Sequence, residues 1–143
     1  MKSIEKLEKI NKKNIIFQSI SILFLFFGLA SGIAFYLIYG TQQIPDFFLA
    51  HILVNILFAS SILWYLTSIF ILINGIKGVI EYKKIKNIKS SLIPQYSAIA
   101  GAILNITMIT VFLFFIPTIF NQIISIMTSK TQNKILKNFN QIK

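Results

Sequence analysis

Apolar residues in this chain fall into three long runs, Ile15–Tyr39, Phe47–Ile76 and Tyr96–Met127, and none of the three contains Lys, Arg, Asp or Glu. A helix needs about 20 apolar residues to cross a hydrocarbon layer of about 30 Å. Each run is longer than that, so the pattern predicts an all-α membrane protein. Its three transmembrane helices make one integral membrane domain over residues 1–143, with short amphipathic segments at 1–13 and 129–143.

The polar connections refine this outline. In 1–13, Ile4, Leu7 and Ile10 recur every third residue, Ser3 is placed to cap, and Glu5–Lys9 and Glu8–Lys12 are i,i+4 pairs. This segment reads as an interfacial helix leading into the first span, and Ile135, Leu136, Phe139 and Ile142 give the tail the same character. Between the first two spans, Pro45 stops helix continuation and Asp46 is set to cap the second helix, which predicts an antiparallel hairpin. Pro94 suits the first turn of the third helix, where its missing N–H costs nothing. Pro117 is expected to kink the third span and free the Leu113 carbonyl. Ala30-Ser31-Gly32 resembles a signal-peptide cleavage site. The apolar run continues through Tyr39, however, too far for a signal-peptide core, so it is read as a retained span.

Charge then orients the chain. It carries 14 lysines, no arginine and four acids, for a net charge of +10. Lys2, Lys6, Lys9, Lys12 and Lys13 precede the first span, and Lys77, Lys83, Lys84, Lys86 and Lys89 follow the second, while the first loop has none. The positive-inside rule predicts a cytoplasmic N-terminus, most simply in a bacterial cytoplasmic membrane. Three spans would put the tail outside, against the tendency of Lys130, Lys134, Lys137 and Lys143. Lysine-rich segments beside a bilayer attract anionic lipid headgroups. Nucleic acid is not an expected partner, since the lysines flank spans and no aromatic stacking platform accompanies them.

Hydrophobic residues make up 55% of the chain and charged residues only 13%, against about 25% in soluble domains. Little chain remains outside the spans to hold chemistry. The absence of cysteine removes disulfides and thiolate chemistry. The spans offer no carboxylate pair, no nucleophile with a base and no ionisable relay, so no catalytic residue, cofactor or metal is expected. His51 stands alone near the outer interface, whereas haem or metal would need further ligands.

Helix packing is the remaining chemistry. Gly28 and Gly32, with Ala34 beyond them, form a GxxxG face that permits close backbone approach. Ser97, Gly101 and Asn105, flanked by Ala98 and Ala102, form a second small-residue face, and Ala59, Ser60 and Ser61 supply one on the middle helix. Counting about 1.5 Å per residue puts Asn105 at the depth of Ser60 and Ser61, which predicts a hydrogen bond between them. The same count sets Asn55 level with Thr110.

Residues 75–84, Gly75-Ile76-Lys77-Gly78-Val79-Ile80-Glu81-Tyr82-Lys83-Lys84, followed by the Ala-Ile-Ala-Gly opening at 98–101, resemble a family of small bacterial membrane hairpin proteins of unknown function. The resemblance covers about half the chain and implies two helices joined by a basic loop. Val79-Ile80-Glu81-Tyr82 is also similar to the end of the second span in succinate dehydrogenase membrane anchors, which would imply haem. Ile71 stands where that family has its haem histidine, and the acidic partner before the tyrosine is Glu81 instead of Asp. The sequence therefore reads as a small non-enzymatic multipass protein, an accessory or structural component packing against itself or a larger membrane partner. The alternatives are a holin-like pore former, an envelope immunity or stress protein, and a divergent respiratory anchor.

Overall fold

The computed structural model describes residues 2–41, 47–85, 90–107 and 115–141, and these form four helices: α1 Lys2–Thr41, α2 Phe47–Lys83, α3 Ile93–Thr107 and α4 Phe115–Gln141. No strand occurs among the described residues. Two helices, α1 and α2, are long and apolar enough to cross a membrane.

The first two helices pack antiparallel along their length. Phe17 stacks on Phe70 with ring centroids 5.4 Å apart. An ideal Cβ on Gly28 would lie 3.2 Å from Ser60 Oγ, and one on Gly78 would lie 3.6 Å from Ile10 Cγ2. The segment 1–13 is not a separate surface helix. It continues into α1, because Ile4 and Leu7 join Leu136 of α4 in a buried cluster against which Tyr82 and Ile85 pack. Likewise, residues 129–141 continue α4. Ile4 and Leu7 of the first stripe and Leu136 of the second, expected to lie on lipid, bury one another instead.

The third apolar run is not one kinked helix. It is divided between α3 and α4, which lie antiparallel: Ser125 Oγ donates to the Pro94 carbonyl at 2.9 Å, and Ser97 Oγ to the Asn121 carbonyl at 2.8 Å. Pro117 lies in the first turn of α4, a position where a proline needs no carbonyl partner. This replaces the expected third span with a helical hairpin. At about 1.5 Å per residue, the 15 residues of α3 rise about 22 Å, against about 60 Å for the 40 residues of α1. The hairpin flanks the lysine-bearing half of the α1–α2 pair, and beyond it α1 and α2 continue as a two-helix arm.

The fold-back also moves the tail. The end of α4 lies beside the start of α1, not at the opposite end. All eleven lysines among the described residues, on α1, α2, the turn that follows it and α4, therefore gather at one end of the bundle. Lys86, Lys89, Ile88, Lys143 and Ile142 lie outside the described residues, as do Pro45, Asp46, Thr110 and Leu113.

Candidate functional site

The bundle is apolar outside and polar inside. Tyr36, Phe48 and Phe58 are exposed to 75%, 76% and 68%, whereas Asn11, Gln18, Ser21, Gln95 and Asn105 are fully buried. A water-soluble bundle does the reverse. The buried positions follow one rule. On α1, as far as Leu25, they are Ile4, Leu7, Asn11, Asn14, Gln18, Ser21 and Leu25; on α4 they are Thr118, Gln122, Ser125, Ser129, Gln132 and Leu136, with Asn133 buried beside Gln132. Steps of three and four alternate in both, the spacing that keeps one seam of a helix against its neighbour.

These stripes meet in layers. At the lysine-bearing end, Leu7 and Leu136 form an apolar floor. Above it, Asn11 Nδ2 donates to Gln132 Oε1 at 2.7 Å and to Asn133 Oδ1 at 3.0 Å. Gln95 enters the same layer from α3, its Nε2 donating to Asn11 Oδ1 at 2.9 Å and to Gln132 Oε1 at 2.7 Å. Gln132 Nε2 in turn donates to the Ser91 carbonyl at 2.8 Å, and Tyr82 Oη bonds the Ser90 carbonyl, which pins the approach to α3. Higher up, Gln18 Nε2 donates to Ser125 Oγ at 2.7 Å, and Gln122 Nε2 to Ser21 Oγ at 3.0 Å.

Gly75 and Gly78 of α2 make room for α3. A Cβ on Gly78 would lie 2.8 Å from Gln95 Cγ, and one on Gly75 would lie 2.7 Å from Ile99 Cγ1. Asn105, at the upper end of α3, donates to Ser68 Oγ at 2.9 Å. The serines expected to pair with it, Ser60 and Ser61, instead return their hydroxyls to the Leu57 carbonyl. The depth count placed them too near: Gln95, at the start of α3, lies level with Asn11, so Asn105 reaches α2 at Ser68, two turns closer to its lysine-bearing end. Gly101 is buried against Asn121 and Gln122.

The second feature is a groove of about 830 Å3 on the α1–α2 arm, lined by Gly28, Gly32, Tyr36, Leu57, Ser60 and Trp64 among others. Gly28 and Gly32 are not equivalent in it. A Cβ at Gly28 presses on Ser60 Oγ, whereas one at Gly32 meets only Leu57 Cδ1 at 3.9 Å. Gly28→Leu is expected to overpack the α1–α2 contact by about 1–3 kcal/mol. Gly32→Ala is expected to fit, and to gain up to about 1 kcal/mol of helix propensity. Thermal unfolding of the two variants in one detergent checks the order; equal melting temperatures would contradict it.

His51 is exposed on α2, and so is Asn55. Among the described residues no three of His, Asp and Glu converge on a possible metal position. Ile71 is buried against Ala98 and Ala102.

Sequence reasoning missed Asn11, Asn14, Gln18, Gln95, Gln122, Ser125, Ser129 and Gln132, and with them Gly75 and Gly78. The signal was present: the three-four spacing that begins at Ile4 and Leu7 runs on unbroken through polar residues. No family model, curated protein or solved structure matches the chain.

Proposed function

We propose that the chain is an integral membrane protein of two spans, with the start of α1 and the end of α4 both cytoplasmic. In this reading it serves as a non-enzymatic accessory component that packs against another membrane protein through the α1–α2 arm. The observation that carries this reading is the inverted bundle, apolar outside and amide-lined inside, with its lysines at one end. Large apolar surfaces of this kind mark contact with lipid or with protein. The lysine cluster agrees with the positive-inside rule throughout, because the fold-back removes the conflict that three spans created for the tail. It would also hold anionic headgroups, at about 1 kcal/mol per lysine. The Gly28–Gly32 groove gives the arm a close-approach surface for a further helix. A holin-like layout with its two ends on opposite sides of the membrane fits poorly, since α1 begins where α4 ends.

Single cysteines at positions 3, 43 and 138 test the topology in a chain that has no cysteine of its own. An impermeant thiol reagent applied to intact cells is expected to label position 43 alone. Labelling at 3 or 138 would overturn the orientation. A photoreactive side chain at Tyr36 tests the docking role. The expected result is protein adducts of discrete mass that disappear when Gly32→Phe fills the groove; adducts to lipid alone would refute docking.

A further inference from the structure

The seam holds more hydrogen-bond acceptors than it can satisfy. Among the described residues, Asn14 Oδ1, Gln18 Oε1, Gln95 Oε1, Gln122 Oε1 and Ser129 Oγ are buried without a hydrogen-bond partner. Four of these groups lie on three successive levels of the seam, within about two turns. From Asn11 to Gln18, α1 advances seven residues while its partner on α4 falls back seven, from Gln132 to Ser125. Asn14, three beyond Asn11, is therefore opposite Ser129, three before Gln132. The Gln95 amide lies one turn below this level, with Asn11 and Gln132, and the Gln18 amide one turn above, with Ser125. Gln95 cannot turn its oxygen elsewhere without giving up the two bonds of its Nε2. Asn14, Gln18, Gln95 and Ser129 are each no more than 1% exposed.

A buried acceptor left unpaired costs about 1–3 kcal/mol, and more where no water can reach it. Three carbonyl oxygens and a hydroxyl within about two turns of one seam attract a ligand that offers protons or positive charge, and repel an anion. A divalent cation would need carboxylates, and none occurs in this stretch. A monovalent cation could use amide oxygens. It would meet an unfavourable potential here, since the described lysines gather at this end and the positive N-terminal end of α3 begins two residues before Gln95. The remaining class is a small neutral donor.

We infer that this stretch of the seam, bounded by Gln95 below and Gln18 above with Asn14 and Ser129 between them, is a binding site for small neutral hydrogen-bond donors, with one or two water molecules as its resident ligand. A buried water makes about three hydrogen bonds. One such molecule can donate to two of the amide oxygens and accept from the Ser129 hydroxyl, and a second can serve the oxygen that remains. Leu7 and Leu136 close the site from the lysine-bearing end, and Leu25, buried on the same stripe of α1, caps it from above. Buried apolar side chains thus stand at both ends of the site.

The test uses the full chain in lipid nanodiscs, with nitrogen-15 in its Asn and Gln side-chain amides, and reads magnetisation transfer from water. Transfer to the Asn14, Gln18 and Gln95 amides is expected even though their protons exchange slowly with bulk solvent. It should fall several-fold in Ser129→Ala, which removes one partner with little change of shape, and further in Asn14→Leu with Ser129→Ala. Absence of transfer in the wild-type protein, or transfer unchanged in both variants, would overturn the site. Saturable shifts of these amides with potassium or ammonium chloride, but not with choline chloride at equal ionic strength, would assign the site to a cation and also overturn the proposal.

Discussion

Leucine in place of Gly78 is expected to unseat α3. An added Cβ alone would sit 2.8 Å from Gln95 Cγ, a distance that real contacts do not reach, with Ile10 Cγ2 at 3.6 Å on its other side. Gln95 cannot yield freely, because its amide is held by Asn11 and Gln132. Gly75→Leu adds a similar clash with Ile99, and there the Gln95 backbone carbonyl stands 3.4 Å away. Overpacking of this kind costs about 1–3 kcal/mol where neighbours can adjust. Here the neighbour is the link between α3 and the seam, so the cost should fall in the upper part of that range or beyond. Alanine at Gly40, which has nothing within 4 Å of its Cβ position, is the matched control. Thermal unfolding in detergent should show a large loss for Gly78→Leu and none for Gly40→Ala. A wild-type melting temperature for Gly78→Leu would mean that α3 does not pack on α2 at this point.

The exterior of this protein was legible in its sequence; the interior was not. Runs such as 15–39 and 47–76 have high mean hydropathy because most of their residues face outward, and averaging over a window recovers that well. The same averaging hid the division of 96–127. Two short antiparallel helices and one long helix have the same mean, and only the small-residue and amide positions tell them apart. Pro117 was read as a kink because the helix was assumed to be continuous; in fact it lies at a helix start, where proline is at ease. The seam escaped notice for a related reason. Asn11 and Asn14 lie beside lysines, where polar residues look like solvated surface, Gln18 is a lone amide at the start of an apolar run, and only their register with Leu7 and Leu25 marks all three as inward-facing. Even Asn105, correctly singled out for a hydrogen bond to a serine, was aimed at Ser60 and Ser61 instead of Ser68, because its depth depended on where α3 begins. The tail lysines show the same dependence: Lys130, Lys134 and Lys137 opposed the topology only while the third run was taken as a full span.

Gln132→Leu is the substitution expected to expose what holds α4 in place. The glutamine is 2% exposed and joins three parts of the chain. Its oxygen accepts from Asn11 on α1 and Gln95 on α3, both at 2.7 Å, and its nitrogen donates to the Ser91 carbonyl at 2.8 Å. Leucine has nearly the same bulk, so the change removes these bonds without leaving a large cavity. Interhelical hydrogen bonds in membrane proteins average about 0.6 kcal/mol each and reach about 1.7. Asn11 keeps Asn133 as an acceptor and Gln95 keeps Asn11, which limits the loss, whereas the Ser91 carbonyl loses this donor. The expected cost is about 2 kcal/mol. Asn133→Leu, which removes only one bond to Asn11, should cost less. Unfolding in mixed micelles by added anionic detergent gives both values on one scale. If Gln132→Leu proved as stable as wild type or more so, the amides would be tolerated rather than required, as happens when apolar packing replaces a buried polar network. The α3–α4 hairpin would then be held to α1 by shape alone.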